Sequence, residues 1–347
     1  MMNEFSGKRI LFISPKFFGY EEEIKMKLES LGSVVDFYDE RPKNDFLTKA
    51  LIRVNRNLLA RRNANYYNEI IAKTKNRDYD AVFIIRGEVI SKNNIRKLKE
   101  FHKKAKFILY MWDAFNYSPH SKKIKDMFDL VYTFDREDAQ TYSELKFRPL
   151  FYIDDYRELA ATKRKKDIDV LFVGTVHTDR FTILKKIEEQ LIDNGLNYHF
   201  YKYYPSKLLF HIKRFFNKDL RMFGEKELQF KGLPKNEVLE LFSRAKVIID
   251  IERPKQNGLT IRTIEVFGAK QKLITTNSSI RNYDIYHPEN INVIDREHPM
   301  ISLDFIRNHF KEVPKEIYDK YSIDSWLFEI FEIPHRQMET KQLLLIN

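Results

Sequence analysis

The chain has 347 residues, of which 43% are hydrophobic and 32% charged, a composition typical of a folded globular protein and not of a disordered one. It contains no cysteine, which excludes disulfides, thiol nucleophiles and cysteine metal sites. The net charge of +11 indicates acidic partners, and nucleic acid, anionic lipid and phosphorylated small molecules are the alternatives.

The length suits two domains, and the chain shows two successive series of short apolar strands alternating with helices. The first series runs from Arg9–Ser14 to Leu150–Ile153, and the second begins at Ile168–Gly174. Such strands predict parallel sheets covered on both faces. The predicted domains are residues 1–155 and 168–320, joined by a linker at 156–167 and followed by a C-terminal segment at 321–347.

No segment of the chain predicts export or a membrane span. The first strand begins within ten residues of the N-terminus, which leaves no space for the apolar core of a signal peptide. Apolar runs such as Phe107–Trp112 stop at about six residues, far below the roughly 20 that cross a bilayer. We therefore expect a cytoplasmic protein.

Several strands of the first series end in residues suited to binding a substrate. Phe18 and Gly19 follow the first strand, Arg86 and Gly87 follow a later one, and Asp113 follows an aromatic strand. Ligands of doubly wound sheets bind at such carboxyl ends. Asp113 can act as a general base or orient a hydroxyl, or else it caps the next helix. Phe18 and Gly19 form either a substrate loop or a turn beside core aromatics.

Two stretches, Phe46–Arg62 and Tyr203–Phe223, are basic and amphipathic. In both, apolar side chains recur at helical spacing and Lys or Arg occupies the other positions. One interpretation is a helix that packs on the core with a solvated charged face. The other is docking on the anionic inner leaflet of a membrane.

The start of the second series contains two features: an acidic pair before the strand and a polar loop after it. Asp167 and Asp169 form a DxD pattern, which holds a divalent metal in some enzymes, but they precede a strand while ligands bind at the opposite end. That strand ends at Gly174, and Thr175, His177 and Arg180 follow, with Arg180 opening a helix. These residues can meet a diphosphate, or they form an ordinary turn.

The segment 247–276 has the most informative pattern. A strand is followed by a polar loop that reaches Asn257 and Gly258, and a helix with Arg262 and Glu265 comes next. A helix start attracts anions, and a carboxylate near it can accept hydrogen bonds from sugar hydroxyls. The pattern predicts a site for a phosphorylated ligand, although any α/β protein contains strand–loop–helix units. GxGxxG, GxxxxGK[ST], HExxH and GxSxG motifs are absent.

With these residues, the chain resembles the GT-B glycosyltransferases, and it is most similar to the group-1-like and CgeB-like sugar transferases of bacterial surface-polysaccharide assembly. The resemblance implies an α/β fold of two doubly wound, Rossmann-like domains facing across a cleft, with the last helix returning toward the first domain. The segments that carry the resemblance are Val170–Gly174, Leu233–Ile249, Asn257–Glu265, Lys272–Thr276 and Tyr321–Glu329.

The resemblance also implies roles for particular residues. Glu265 would bind the ribose or the donor sugar, and Gly258, Leu259 and Arg262 would line the diphosphate and sugar. Many relatives have a second glutamate eight residues before the first, and this chain has Asn257 there. Lysines, at positions 270 and 272, replace a small residue and a proline of the relatives.

The implied activity is transfer of a sugar from a nucleotide-diphosphate sugar to a saccharide or lipid-linked saccharide in capsule, lipopolysaccharide or exopolysaccharide synthesis. Asp113 and Glu265 are the candidate catalytic residues, and Phe18, Gly19, Arg86 and Gly87 are the candidate acceptor-side residues. Neither a metal nor another cofactor is expected, nor is a nucleic-acid partner. The alternatives are a GT-B epimerase, an inactive nucleotide-sugar binder and, from charge alone, a nucleic-acid-binding protein.

Overall fold

The computed structural model describes residues 4–42, 60–162, 164–176, 179–216, 218–221, 224–254 and 256–334. Eleven β-strands lie in these ranges: β1 Arg9–Ser14, β2 Val34–Asp39, β3 Ala81–Ile85, β4 Lys106–Met111, β5 Leu130–Thr133, β6 Lys146–Phe147, β7 Ile168–Thr175, β8 Tyr198–Tyr203, β9 Ala245–Asp250, β10 Lys272–Thr275 and β11 Ile291–Val293. Fourteen α-helices lie in the same ranges: α1 Tyr20–Ser30, α2 Ala60–Thr74, α3 Lys92–Phe101, α4 Pro119–Ile124, α5 Arg136–Thr141, α6 Asp154–Ala161, α7 Arg180–Asp193, α8 Lys207–Phe216, α9 Lys218–Arg221, α10 Lys235–Arg244, α11 Ile261–Gly268, α12 Leu303–Arg307, α13 Lys315–Lys320 and α14 Ile323–Ile330.

The strands form two parallel sheets of the same topology. The first sheet has the order β2-β1-β3-β4-β5-β6, and the second has the order β11-β10-β9-β7-β8. In each sheet the direction of winding changes next to the first strand, between β1 and β3 and between β7 and β9. Ligands of doubly wound sheets bind outside the carboxyl ends of the strands at this switch point.

The first compact unit comprises residues up to 150 together with those from 323 onward. Its central strands β3 and β4 are almost wholly buried, as parallel strands are when helices cover both faces of the sheet. Helix α14 provides part of this cover. Its Trp326 is fully buried, and its ring centroid lies 4.8 Å from that of Tyr110.

The second compact unit comprises residues 151–322. Its core lies between the sheet and the flanking helices, and α7 contributes one apolar side to it. Residues of this core include Val170, Phe172, Phe181, Leu184, Ile187, Val247, Ile249 and Ile274. Rigid packing around β7 and β9 holds the ends of these two strands at the switch point.

The structure differs from the sequence predictions between residues 150 and 167. Leu150–Ile153 is buried, as its apolar character suggests, but only Tyr152 forms a bridge, to Ser322, and no strand results. Part of the predicted linker is helical, because α6 spans Asp154–Ala161 and buries Tyr156. The sequence did not predict this helix because its composition is polar. The helix contributes one aromatic side chain to the core and no continuous apolar stripe.

The basic stretch Phe46–Arg62, with its helical spacing of apolar residues, lies mostly at positions 43–59, which are outside the described ranges. Helix α2 begins near its end and spans Ala60–Thr74. Among the described residues, no helix combines the length and the apolar character that a membrane span requires.

Candidate functional site

The carboxyl ends of β7 and β9 lie side by side at the switch point of the second sheet. β7 ends with Gly174 and Thr175, and Gly174 is tightly packed, since a Cβ there would come within 3.1 Å of the Phe172 ring. The loop after β7 leads to Arg180, the first residue of α7, and the loop after β9 carries Glu252. This edge therefore collects polar side chains where such sheets bind ligands.

Arg180 reaches back from the start of α7 to the end of β7. Its Nη1 donates a hydrogen bond to the carbonyl oxygen of Thr175 at 2.7 Å. Its Nε is buried without a hydrogen-bond partner, and no carboxylate of the described residues forms an ion pair with it. Burial lowers the pKa of Arg180, and the nearby charges of Asp250 and Glu252 offset only part of this effect. The guanidinium therefore retains donor capacity that no described acceptor uses.

Arg296 lies at the same edge and is held by acidic partners. Its Nη2 donates to Oε1 of Glu252 at 2.5 Å and to the Glu252 carbonyl at 2.8 Å, and its Nη1 donates to Asp179 at 2.7 Å. Thr276 donates to the other carboxylate oxygen of Glu252 at 2.6 Å. Because Glu252 is buried, these charge-assisted bonds fix the orientation of Arg296.

Glu252 and Arg296 are not among the residues predicted from the sequence, although a signal for both is present there. Glu252 follows the end of β9 by two residues, and Arg296 follows the end of β11 by three. Both residues therefore follow the carboxyl end of a strand, the same feature that predicted Arg180. The exposed Arg253 belongs to the same neighbourhood, since its charge also acts on the Arg180 guanidinium.

Helix α11 is attached to the end of β9 by its first turn. Thr260 caps the helix by accepting a hydrogen bond from the Thr263 amide at 3.1 Å. Both threonine hydroxyls donate to Asp250, the Thr263 hydroxyl at 2.8 Å. Gly258 and Leu259 immediately precede this cap. Leu259 as a whole is only 1% exposed, so in this state neither its side chain nor its backbone is accessible to a ligand.

Arg262 and Glu265 form a second group, on the side of α11 that packs against α6. Arg262 Nη1 donates to Oε2 of Glu265 at 2.5 Å, and the Glu265 carboxylate is buried. Burial and then the charge of Glu265 raise the pKa of Tyr156 well above its usual range, which places the phenol beside this pair. The Arg262 guanidinium also lies 5.0 Å from the centre of the Phe242 ring. The two predicted ligand-binding side chains thus satisfy each other in this state.

The remaining predicted residues of the second unit contribute less. His177 lies outside the described ranges, and Asn257 is half-buried in the loop between β9 and α11. Asp167 and Asp169 lie at the amino end of β7, and each pairs with a basic side chain, at 2.7 Å and 2.6 Å respectively. Their position is at the sheet edge opposite to Arg180.

In the first unit, Arg86 and Gly87 follow β3 with consecutive positive φ angles of 73° and 64°. For Arg86, which has a Cβ, this backbone is strained, and such strain concentrates at functional sites. Its Nε lies 3.2 Å from a carboxylate oxygen of Asp113, and its Nη2 donates to Glu88 at 3.1 Å. The structure therefore brings the predicted residues Arg86, Gly87 and Asp113 together at the switch point of the first sheet.

Phe18 and Gly19 follow β1 at the same switch point, also with positive φ angles, of 52° and 84°. Phe18 is 75% exposed, and its ring lies edge-on to that of Phe17 with centroids 4.8 Å apart. Phe17 in turn contacts the indole of Trp112, the residue before Asp113, at 5.4 Å. An exposed aromatic surface thus lies beside the Arg86–Asp113 pair.

Glu40 is a buried carboxyl group near this cluster. Its Oε1 accepts a hydrogen bond from the Val89 amide at 3.0 Å, and its Oε2 has no partner among the described residues. Burial, and after it the charge of Glu88, raise the pKa of Glu40 to about 7, while Arg41 and Arg86 oppose the shift. A group that exchanges its proton near neutral pH therefore adjoins the ion pairs that hold Arg86.

Several solved structures with the same architecture are glycosyltransferases. An alpha-glucosyltransferase in complex with UDP and a 13-mer mismatched DNA aligns with a TM-score of 0.56 and 12% identity, over 93% of this chain and 95% of that one. A glycosyltransferase from Rickettsia africae gives 0.55 and 14%, over 94% and 97%. HepE from Anabaena, in complex with UDP and glucose, gives 0.51 and 10%, over 96% and 99%.

At these identities the comparison concerns the fold. The chain has the GT-B fold, and the predicted class of two doubly wound, Rossmann-like domains is confirmed. No protein-family model matches the sequence, and a search of curated proteins finds no match.

Proposed function

We propose that this protein is a glycosyltransferase that moves a sugar from a nucleotide-diphosphate sugar to a saccharide or lipid-linked saccharide acceptor. The observation that carries the proposal is Arg180, a largely buried guanidinium without an anionic partner at the switch point of the second sheet. Structural neighbours whose complexes contain UDP or UDP-glucose support a nucleotide sugar as the donor. The resemblance seen in the sequence suggests bacterial capsule, lipopolysaccharide or exopolysaccharide synthesis.

In this proposal the diphosphate binds against the start of α7. Arg180 donates to it, together with backbone amides at the helix start and Thr175. Arg296, fixed by Glu252, and the exposed Arg253 supply further positive charge. Cations placed where the leaving diphosphate gains charge stabilise the transition state for transfer, and they need no metal to do so.

Arg262 and Glu265 enter the same site when the donor binds. A diphosphate competes with Glu265 for the Arg262 guanidinium, because both are anionic acceptors. Release of Arg262 leaves the Glu265 carboxylate to accept hydrogen bonds from ribose or sugar hydroxyls. The adjacent Tyr156 phenol retains a bond to the carboxylate and limits the cost of the exchange.

The acceptor is assigned to the switch point of the first sheet. Asp113, oriented by Arg86, accepts the proton of the acceptor hydroxyl in an inverting reaction. Gly87 and Gly19 provide the backbone turns of this edge, and Phe18 offers an exposed aromatic face to a sugar ring. A lipid-linked acceptor would bring the protein to the cytoplasmic face of the membrane.

A thermal-unfolding screen against nucleoside diphosphates and their sugar conjugates tests the proposal. A ligand that binds only the folded state raises the unfolding free energy by RT ln(1 + [L]/Kd), about 2.7 kcal/mol at a hundred times Kd. We expect one nucleoside diphosphate and its sugar conjugate to raise the unfolding midpoint. The proposal fails if none does, and an epimerase is indicated if the donor sugar is converted without an acceptor.

A further inference from the structure

Helix α8 (Lys207–Phe216) has apolar side chains on two different faces. Phe210 is fully buried in the core of the second unit. Leu208, Ile212 and Phe215 are instead 71%, 50% and 73% exposed. Their spacing of four and three residues places them on one face of the helix, and we refer to these three as the outer stripe.

Packing on the core of the second unit does not explain the outer stripe. Single exposed apolar residues are common on protein surfaces, but a group of them on one element marks an interaction site. An ordinary amphipathic helix packs one apolar face on the core and exposes a charged face to water. This arrangement explains the burial of Phe210 but not the exposed apolar side chains of the outer stripe.

Charge indicates the kind of partner. Helix α8 contains no Asp or Glu, and its basic residues are Lys207, Lys213 and Arg214. Lys207 and His211 both contact Glu225, whereas Lys213 is exposed and forms no ion pair among the described residues. Positive charge therefore flanks the outer stripe, as in helices that lie in the headgroup region of anionic bilayers.

We propose that α8 docks this protein on the surface of an anionic lipid bilayer. The outer stripe enters the boundary between headgroups and acyl chains, and the flanking Lys and Arg side chains contact lipid phosphates. The helix is about 15 Å long, at 1.5 Å per residue, so it lies in the plane of the surface and does not cross it. This inference stands on the second unit alone and does not require the proposed sugar transfer.

Sedimentation of the full chain with lipid vesicles tests the docking. We expect binding to vesicles of phosphatidylcholine mixed with phosphatidylglycerol, and much weaker binding to phosphatidylcholine alone. Replacing Leu208, Ile212 and Phe215 with serine should weaken partitioning by about a thousandfold or more, since each buried side chain of this size is worth roughly tenfold or more. Lys213→Gln should weaken it by about fivefold. Because all four side chains are exposed, the variants should fold normally.

Matched control variants distinguish docking through α8 from nonspecific adsorption to the vesicles. Ile192 is 60% exposed on α7 and Lys104 is exposed in the first unit, so Ile192→Ser and Lys104→Gln should leave partitioning unchanged. The chain has no cysteine, so Ile212→Cys or Ile192→Cys provides a single site for a polarity-sensitive fluorophore. We expect anionic vesicles to shift the emission to the blue at position 212 only.

Three results would overturn the inference. One is failure of the protein to sediment with anionic vesicles. Another is equal partitioning of the triple serine variant and the parent chain. The third is a triple serine variant with altered self-association or protein binding but unchanged lipid binding. That result would make the outer stripe a protein interface. Failure of the protein to bind a nucleotide would contradict the proposed function, but it would not affect the outcome of the vesicle experiment.

Discussion

Replacing Arg180 with methionine should separate ligand binding from stability. The change removes the guanidinium but keeps an unbranched side chain of similar length. In the ligand-free protein the substitution relieves the cost of burying a charge, while the Thr175 carbonyl loses its hydrogen bond. These effects oppose each other, and we expect the free energy of unfolding to change by no more than about 1 kcal/mol.

Binding of the nucleoside diphosphate should respond very differently. A hydrogen bond to a charged group contributes about 1.5–3 kcal/mol, which corresponds to a roughly 10- to 150-fold increase in Kd when it is lost. A ligand concentration of a hundred times the parent Kd stabilises the parent by about 2.7 kcal/mol. At the same concentration, a Kd raised ten- to a hundredfold leaves only about 1.4 to 0.4 kcal/mol.

Thermal unfolding with titrated nucleoside diphosphate measures both quantities in one experiment. Arg281→Met, at an exposed position on the same unit, is the control and should retain the full ligand effect. The reasoning is refuted if Arg180→Met binds the ligand as tightly as the parent chain. It is equally refuted if the ligand-free variant is destabilised by several kcal/mol, because Arg180 would then be a structural residue.

Three further predictions address other parts of the molecule. Because the pKa of Glu40 is raised in the folded state, this group should lower the unfolding free energy of the parent by about 3 kcal/mol as the pH rises from 4.5 to about 7. Urea unfolding of Glu40→Gln should lack this pH dependence. Glu265→Gln, which keeps an acceptor for Arg262, should lower nucleotide-sugar turnover about a hundredfold or more in steady-state kinetics, with little change in stability. Gly268→Ala should destabilise by about 1–3 kcal/mol or more in chemical denaturation, since a Cβ there overlaps the Tyr152 ring.

Each of these has a control and a contrary outcome. Glu22→Gln, on the exposed side of α1, should leave the pH dependence intact, and an unchanged slope in Glu40→Gln would contradict the buried-carboxyl argument. Unaltered turnover in Glu265→Gln would remove that residue from the donor site. Gly232→Ala has open space around its Cβ and should be neutral, so a similar loss in both glycine variants would rule out overlap as the cause.

Local pattern predicted which strand ends carry the candidate residues. Arg180 was selected because a strand ending in Gly174 precedes a helix start, and the structure places it at the switch point with an unsatisfied donor. Arg86, Gly87 and Asp113 were selected by the same argument and lie together. Glu252 and Arg296 also follow strand ends, but they were missed because neither belongs to a recognised motif.

The sequence by itself determined the alternation of strands and helices and which loops occupy the carboxyl edges, because periodicity and strand polarity are properties of short segments. Only the tertiary structure decided that Arg262 pairs with Glu265 beside Tyr156, that Glu252 holds Arg296, and that the outer stripe of α8 remains exposed. Such pairings depend on how helices are rotated against the sheet and against one another. That rotation is set by the packing of many distant side chains, and a local pattern cannot encode it.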